Sequence, residues 1–269
     1  MNYAVICAGG ELPFKIASKI SESHNVKLIL LDGFFTDKRL LEFDHKIIKI
    51  AKAGQVINQL KSWNIKKLVI IGNMSMPNLK TLIPDARGLK IISKLLVMKN
   101  RGDDAVLRTI AEEIEGDGID VIDPKIFFED GEILTKKQPN HQQIADIKFG
   151  HEILKKMSDL DIGQGVAVCD GRVIAVEAIE GTAEMIKRVG LYVGNRFQGG
   201  AILVKNAKSN QDSRLDTPVI GLSTIDDLKK SGFRGLAVDS NSVIIADIAD
   251  FKLKLDEAEL FFYDLKNLT

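Results

Sequence analysis

The chain has no excess charge of either sign: 37 lysines and arginines stand against 37 aspartates and glutamates. With no global field to draw in a polyanion, binding to nucleic acid or to an anionic membrane through overall charge is disfavoured. No run of about 18 consecutive apolar residues occurs, so no membrane-spanning helix is expected. The chain opens on the strand-like run "NYAVIC" rather than on a basic stretch leading into an apolar one, which predicts a cytoplasmic protein. Cysteine is nearly absent. Cys7 and Cys169 each sit inside an apolar run, where a reduced, buried thiol behaves as a small hydrophobe.

Histidine is scarce too: His24, His45, His141 and His151 are the whole set. None lies in HxH, DxH or HExxH, which argues against a zinc or histidine-rich dimetal centre. The GxSxG elbow, the GxxxxGK[ST] loop and the GxGxxG fingerprint are all missing, so serine-hydrolase, P-loop and dinucleotide-dependent oxidoreductase readings lose their usual support. Any metal-assisted chemistry has to rest on carboxylates.

What is present is an ordinary globular composition. With 269 residues, 45% of them hydrophobic, the chain can bury a sizeable core as two compact domains or one large one. In the first half, "NYAVIC", "VKLILLDG", "HKIIKIA", "KKLVIIGN" and "IDVIDP" read as strands. They alternate with helical segments at "LPFKIASKISES", "GQVINQLKSW", "ARGLKIISKLLVMKN" and "DDAVLRTIAEEIEG", a pattern that predicts a mainly parallel, doubly wound sheet. Residues 128–143 turn polar, and 134–144 is the expected linker between a domain at 1–133 and one at 145–269.

The second half reads as α+β with a mixed sheet. "GVAVCDGRVIAVEA" is a hairpin centred on Asp170-Gly171, "GTAEMIKRVG" a helix, "GAILVKNA" a strand, and "TIDDLKKSG" a helix with Thr224 as N-cap. "GLAVDSNSVIIAD" reads as a second hairpin.

Four segments can carry chemistry, and each also has a plain structural reading. Gly9 and Gly10 at a strand-to-helix turn can admit a phosphate to backbone N–H groups, or simply form a tight turn. Asp103 and Asp104 at a helix start can bind metal, or only cap the helix and complement its dipole. "DIGQGVAVCDGRVIAVEAIEGTAEMI" gathers Gln164 and Gly165, Glu177, Glu180, Gly181 and Thr182 at strand and helix ends, where a ligand can bind or where ordinary strand-end polarity suffices. "LVKNAKSNQDSRLDTPVIG" places the cations Lys205, Lys208 and Arg214 near Gln211, Asp212 and Asp216, a mixture suited to phosphate and Mg²⁺ or to a solvated loop fixed by Pro218.

Together with "AGGELP", "PDARGL" and "RGDD", these last two long motifs resemble the UDP-2,3-diacylglucosamine pyrophosphatases of the LpxI family, from lipid A biosynthesis in Gram-negative bacteria. The chain departs from the family's usual Pro at Ser209 and Leu at Thr217, neither a charged position. The resemblance implies a Rossmann-like N-terminal domain, a C-terminal α/β catalytic domain, a homodimer and Mg²⁺ as cofactor. It also implies hydrolysis of the acylated sugar nucleotide to UMP and 2,3-diacylglucosamine 1-phosphate, with contact to the inner membrane from its cytoplasmic face.

Carried onto this sequence, the resemblance assigns the catalytic carboxylate to Asp216, as a metal ligand or as the group that orients water. Lys205 and Arg214 would offset charge on the diphosphate, and Asp103 and Asp104 would join Asp216 at the metal. Substrate contacts fall on Gly9, Gly10, Leu12 and Arg87 in the first half. In the second they fall on Gln164, Gly165, Glu177, Glu180, Gly181, Thr182, Lys208 and Gln211. The competing reading is a non-catalytic carrier of lipid or acylated sugar nucleotide with the same fold.

Overall fold

The computed structural model describes residues 1–74, 81–97, 103–128, 131–193, 200–208, 212–215 and 217–268. The chain divides into two compact units, one formed by Met1–Phe127 with Asp212–Asp216, the other by Phe128–Gln211 with Thr217–Thr269.

In the first unit, β1 (Asn2–Cys7), α1 (Leu12–Ser21), β2 (Asn25–Leu31), β3 (His45–Ile48), α2 (Ala53–Ser62), β4 (Lys67–Ile71), α3 (Ala86–Val97), α4 (Asp103–Glu115) and β5 (Asp120–Val121) follow in order. The five strands are all parallel, in the order β3-β2-β1-β4-β5. This is the Rossmann order, with the direction of winding reversing between β1 and β4. The near-continuous apolar character of "YAVIC" and "LILL" follows from burial on both faces of a parallel sheet. Ile6, Ile29 and Leu68 pack with Ile57 and Leu60 of α2 and Ile114 of α4 in one core. Each such side chain contributes about 1.5–3 kcal/mol by leaving water.

A single carboxylate ties two helix starts together here. Asp85, immediately before α3, accepts from Gly88 N at 2.8 Å and, through its other oxygen, from Gln55 N in the first turn of α2 at 3.1 Å. Two sets of orphan N–H groups are served by one side chain. Burial alone would raise this carboxyl, but the N–H groups of Gly88, Gly54 and Gln55 outweigh it and hold it below the ordinary value.

The second unit contains α5 (His141–Asp159), β6 (Gly165–Cys169), β7 (Arg172–Val176), α6 (Gly181–Gly190), β8 (Ala201–Lys205), β9 (Val219–Ile220), α7 (Leu222–Lys230), β10 (Phe233–Val238), β11 (Ile244–Ile245), α8 (Ile248–Ala258) and β12 (Phe261–Asp264). Its sheet runs β12-β10-β8-β6-β7, with β12, β10 and β8 parallel and β6 antiparallel to both β8 and β7. The expected mixed sheet is therefore present, as is the Asp170-Gly171 hairpin. Both turn residues have positive φ, 49° and 71°, as a two-residue hairpin turn of this type demands. Asp146 of α5, buried, accepts from Asp170 N at 2.9 Å and Gly171 N at 2.7 Å, fixing that turn from outside.

Three local expectations differ from the structure. The second hairpin does not form: β10 lies parallel between β8 and β12, and β11 pairs parallel with β9. The N-cap of α7 is Gly221, with Thr224 already inside the first turn. Helix α5 begins at His141 within the polar stretch, stabilised by a reciprocal capping box between Asn140 and Gln143. Its Gly150 lies so close to the sheet that a Cβ would meet Val204 at 2.7 Å.

Candidate active site

The polar residues of the second unit gather at one rim of its sheet, where β8 ends, β6 begins and α6 starts. Lys205 is the last residue of β8, in register with Gly165 at the start of β6. Its side chain is almost wholly buried, yet it is held by polar partners. Nζ donates to Thr182 Oγ1 at 2.6 Å and lies 3.4 Å from Glu177 Oε2. Glu177 follows β7 and is itself buried. An ammonium removed from water persists only where it is paired and hydrogen-bonded, and both conditions hold. A buried ammonium and a hydroxyl beside a helix start are donors that can bind phosphoryl oxygens.

Gly163 and Gly165 both lie tightly against Glu177. A Cβ on Gly163 would stand 2.0 Å from the Glu177 carbonyl oxygen, and one on Gly165 would stand 2.5 Å from Glu177 Oε2. The two glycines make room for Glu177, whose N–H donates to Gly165 O at 2.8 Å. Between them, Gln164 accepts through its carbonyl from Asn206 N at 3.1 Å.

Asn206 was not anticipated from sequence, and it extends the rim. Its side-chain oxygen accepts from Ser242 Oγ at 2.6 Å, and on the neighbouring strand ends Ser240 Oγ donates to Asp264 at 2.5 Å. The available signal was position alone, since polar residues directly follow the apolar strands "AILVK" and "GLAV" at their carboxyl ends, where ligands of parallel sheets bind. On α6, Glu180 precedes the helix and is ion-paired to Arg188, and Gly181 takes a positive φ of 79° at its first position. Lys208, three residues beyond β8, pairs with Asp161 at 2.5 Å.

Arg214, Arg87, Gly9, Gly10 and Leu12 belong to the first unit. Arg214 is held by Asp212, with Nη2–Oδ2 at 2.7 Å and Nε–Oδ1 at 2.9 Å, and by Glu115 of α4 at 2.5 Å. The Arg214 hydrogen bonds keep the Asp212 carboxyl below its ordinary value, overcoming burial. Arg87 of α3 bridges to Asp117 and Glu113 beyond and within α4. Gly9 forms a two-way backbone bridge with Asn73, at 3.0 and 2.8 Å, and a Cβ there would meet Asn73 O at 2.9 Å. Gly10 N donates to Thr36 Oγ1 at 3.0 Å, and Leu12 opens α1. The glycine pair thus joins the loops after β1 and β4 at the topological switch point. Arg214 and Arg87 lie in the first unit and Lys205 in the second, each in its own ion-paired cluster.

Asp216 and Gln211 lie outside the described residues, as do the side chains of Asp103 and Asp104 at the first two positions of α4. Among the described residues no group of three His, Cys, Asp or Glu side chains converges to hold a metal ion. Asp212 and Glu115 are already engaged by Arg214, and Glu177 by Lys205. They do not by themselves form an Mg²⁺ site, and no step below is routed through the ion. Both cysteines are free and buried, and burial, aided by Asp170, pushes the Cys169 thiol up to about 12.

A Rossmann-ordered parallel unit joined to a mixed-sheet unit, whose strand ends enclose a paired lysine, defines a two-unit α/β protein with a candidate anion site. Residues 2–131 match the LpxI N-terminal domain and residues 130–263 the LpxI C-terminal domain, so the chain belongs to the LpxI family. It is similar to a Caulobacter vibrioides protein named UDP-2,3-diacylglucosamine pyrophosphatase LpxI. The two are 31% identical over 267 residues, which span 96% of this chain and 95% of the relative.

Proposed function

We propose that the protein hydrolyses the diphosphate of UDP-2,3-diacylglucosamine in lipid A biosynthesis, with Mg²⁺, releasing UMP and 2,3-diacylglucosamine 1-phosphate. The observation that carries this reading is the correspondence with the curated pyrophosphatase along nearly the full length of both chains.

In the proposed reaction a water oxygen bonds to the sugar-side phosphorus as the bond from that phosphorus to the bridging oxygen breaks. UMP leaves with the bridging oxygen, and one proton is released. Lys205, oriented by Thr182 and Glu177, offsets charge developing on the phosphoryl oxygens. Arg214 acts by fixing residues 212–215 through Asp212 and Glu115, and so orients the chain leading into Asp216. Asp216 is assigned to the ion or to the attacking water, and bound Mg²⁺ would supply positive charge against the diphosphate.

The protein is read as a cytoplasmic homodimer. No helix among the described residues is long and apolar enough to cross a membrane.

The test is incubation of purified protein with UDP-2,3-diacylglucosamine and Mg²⁺ in ¹⁸O-labelled water. Release of UMP with the label in the sugar 1-phosphate supports the reading. Absence of UMP where a control enzyme works overturns it, and tight lipid co-purification without turnover would point to the carrier instead. Label found in UMP would leave the hydrolysis standing and reverse the assigned phosphorus.

A further inference from the structure

Side chains alternate across a strand, and the end of β8 uses both directions. Leu203 packs with Met185 and Ile186 of α6, while Val204 packs with Ile147 and Leu154 of α5. Lys205 goes with Leu203 to the α6 side, where it meets Thr182. Asn206, whose N–H extends the ladder to Gln164 O at 3.1 Å, goes with Val204 to the other side.

Two donors orient the Asn206 amide. Ala207 N, which can only donate, lies 2.9 Å from Oδ1 and so settles which end of the amide is oxygen. Ser242 Oγ lies 2.6 Å from the same atom and 3.4 Å from Asp239 O. A hydroxyl has one proton, and the shorter contact takes it. The turn that carries Ser242 is braced in its own right. Ser242 N and Val243 N both donate to Asp239 O at 3.1 Å, Asn241 N donates to Asp239 Oδ1 at 2.9 Å, and Ser240 Oγ joins the turn to Asp264 of β12. With Oδ1 doubly engaged, Nδ2 is directed away from these partners. Among the described residues its two N–H groups donate to nothing, although Asn206 is half-buried.

Fixed donors without a protein acceptor, at the carboxyl end of a strand in the parallel part of a sheet, have the pattern of a ligand contact. The surroundings select the acceptor. An uncharged amide beside the Asp239 turn, with the Lys205 ammonium directed to the opposite side, favours a neutral oxygen over a phosphoryl one. We propose that Asn206 is a substrate-binding residue whose Nδ2 donates to a carbonyl oxygen of the acylated sugar nucleotide, with Ser242 as the positioning residue that holds it. This rests on the hydrolytic reading for the identity of the ligand, which carries carbonyls in its uracil ring and in its acyl groups.

The experiment measures binding of the two products separately, on the full chain. UMP is titrated by calorimetry, and 2,3-diacylglucosamine 1-phosphate in detergent micelles, against wild type, Asn206→Asp, Ser242→Ala and the double variant. In Asn206→Asp the carboxylate still accepts from Ser242 and Ala207, so the support of the loop is kept while both N–H donors are lost. It is expected to keep the wild-type melting temperature and to weaken one product by at least about tenfold, leaving the other unchanged. Loss of UMP binding would place the carbonyl in the uracil ring, and loss of the lipid product would place it in an acyl group. Ser242→Ala is expected to weaken the same product by about three- to tenfold, and to add nothing in the Asn206→Asp background.

Wild type that binds while Asn206→Asp binds both products equally well overturns this inference alone. Equal weakening of both products does so too, since Asn206 would then act through the fold. Weaker competition by inorganic phosphate in Asn206→Asp than in wild type would make the oxygen a phosphoryl one and overturn the assignment. Additive losses in the double variant would remove the positioning role of Ser242. Wild type that binds neither product overturns the inference together with the hydrolytic reading.

Discussion

Lys205 Nζ donates to Thr182 Oγ1 at 2.6 Å while facing the buried Glu177 carboxylate at 3.4 Å, which joins the end of β8 to the start of α6 through one ammonium group. Lys205→Met should lower kcat by about 10²–10³, the usual effect of losing one donor to developing charge. It should also destabilise the fold by about 3–5 kcal/mol, because Glu177 is left buried and unpaired. The double variant Lys205→Met, Glu177→Gln separates the two effects: stability measured by urea titration should largely return while activity stays low. Recovery of both would make Lys205 a purely structural residue.

The fit of Glu177 against the two glycines makes a graded prediction. Gly163→Ala drives a methyl into the Glu177 main-chain carbonyl, which cannot rotate away, whereas Gly165→Ala meets only the end of its side chain. Gly163→Ala should cost about 1–3 kcal/mol as an overpacking change, and Gly165→Ala less. The Gly165 variant should nevertheless lose activity by displacing the carboxylate from Lys205. Equal melting temperatures for both variants and wild type would contradict this packing.

Asp85 makes a prediction about acid. Its folded carboxyl sits below the ordinary value, so its stabilisation is present above the unfolded pKa of about 3.9 and is lost as pH falls through the folded value. Asp85→Asn should therefore reduce stability at pH 7 by about 1 kcal/mol, because one of the two accepting oxygens is replaced by an amide NH₂ that cannot accept. The gap between variant and wild type should narrow as the pH drops below about 4. Denaturant titrations at pH 7, 5 and 3 test this, and a gap that widens in acid would refute it.

Asp216→Ala bears on the chemistry itself. The expected outcome is a fall in kcat of several orders of magnitude with substrate binding retained, the signature of a group acting in the transition state. Isothermal titration with substrate in the presence of Mg²⁺ supplies the binding half of the comparison. Near-normal turnover would return Asp216 to the role of a loop residue.

The strands of the first unit were legible because parallel strands buried on both faces leave unbroken apolar runs, and β1, β2 and β4 have them. The Asp170-Gly171 turn was legible because its conformation demands those residue types. Pairing between distant segments was not. "LAVDSNSVII" contains every local cue for a hairpin, yet β10 takes its partners from residues 201–205 and 261–264, so the real connection is invisible in a short window. Helix α5 escaped notice because its first turn is polar and its sheet-facing position 150 is a glycine. For the site, residue types at strand ends pointed to Lys205, Glu177 and Thr182. What the glycines at 163 and 165 accommodate lies a dozen residues further along the chain, and only the fold reveals it.

The short segment Asp212–Asp216, which belongs to the first unit although it lies within the sequence of the second, bears on how the protein is made. Leu215 sits in the same core as Ile6 and Ile114, and Arg214 closes on Glu115 across 99 residues of chain. During synthesis, β1 to β5 can leave the ribosome and still lack these two side chains until most of another sheet has been translated. Such long-range closure is slow and exposes unfinished surface to aggregation. A gene cut at the covalent boundary near residue 128 would therefore yield a first fragment missing part of its own interior, and coexpressing the two halves would not restore the connectivity that supplies it.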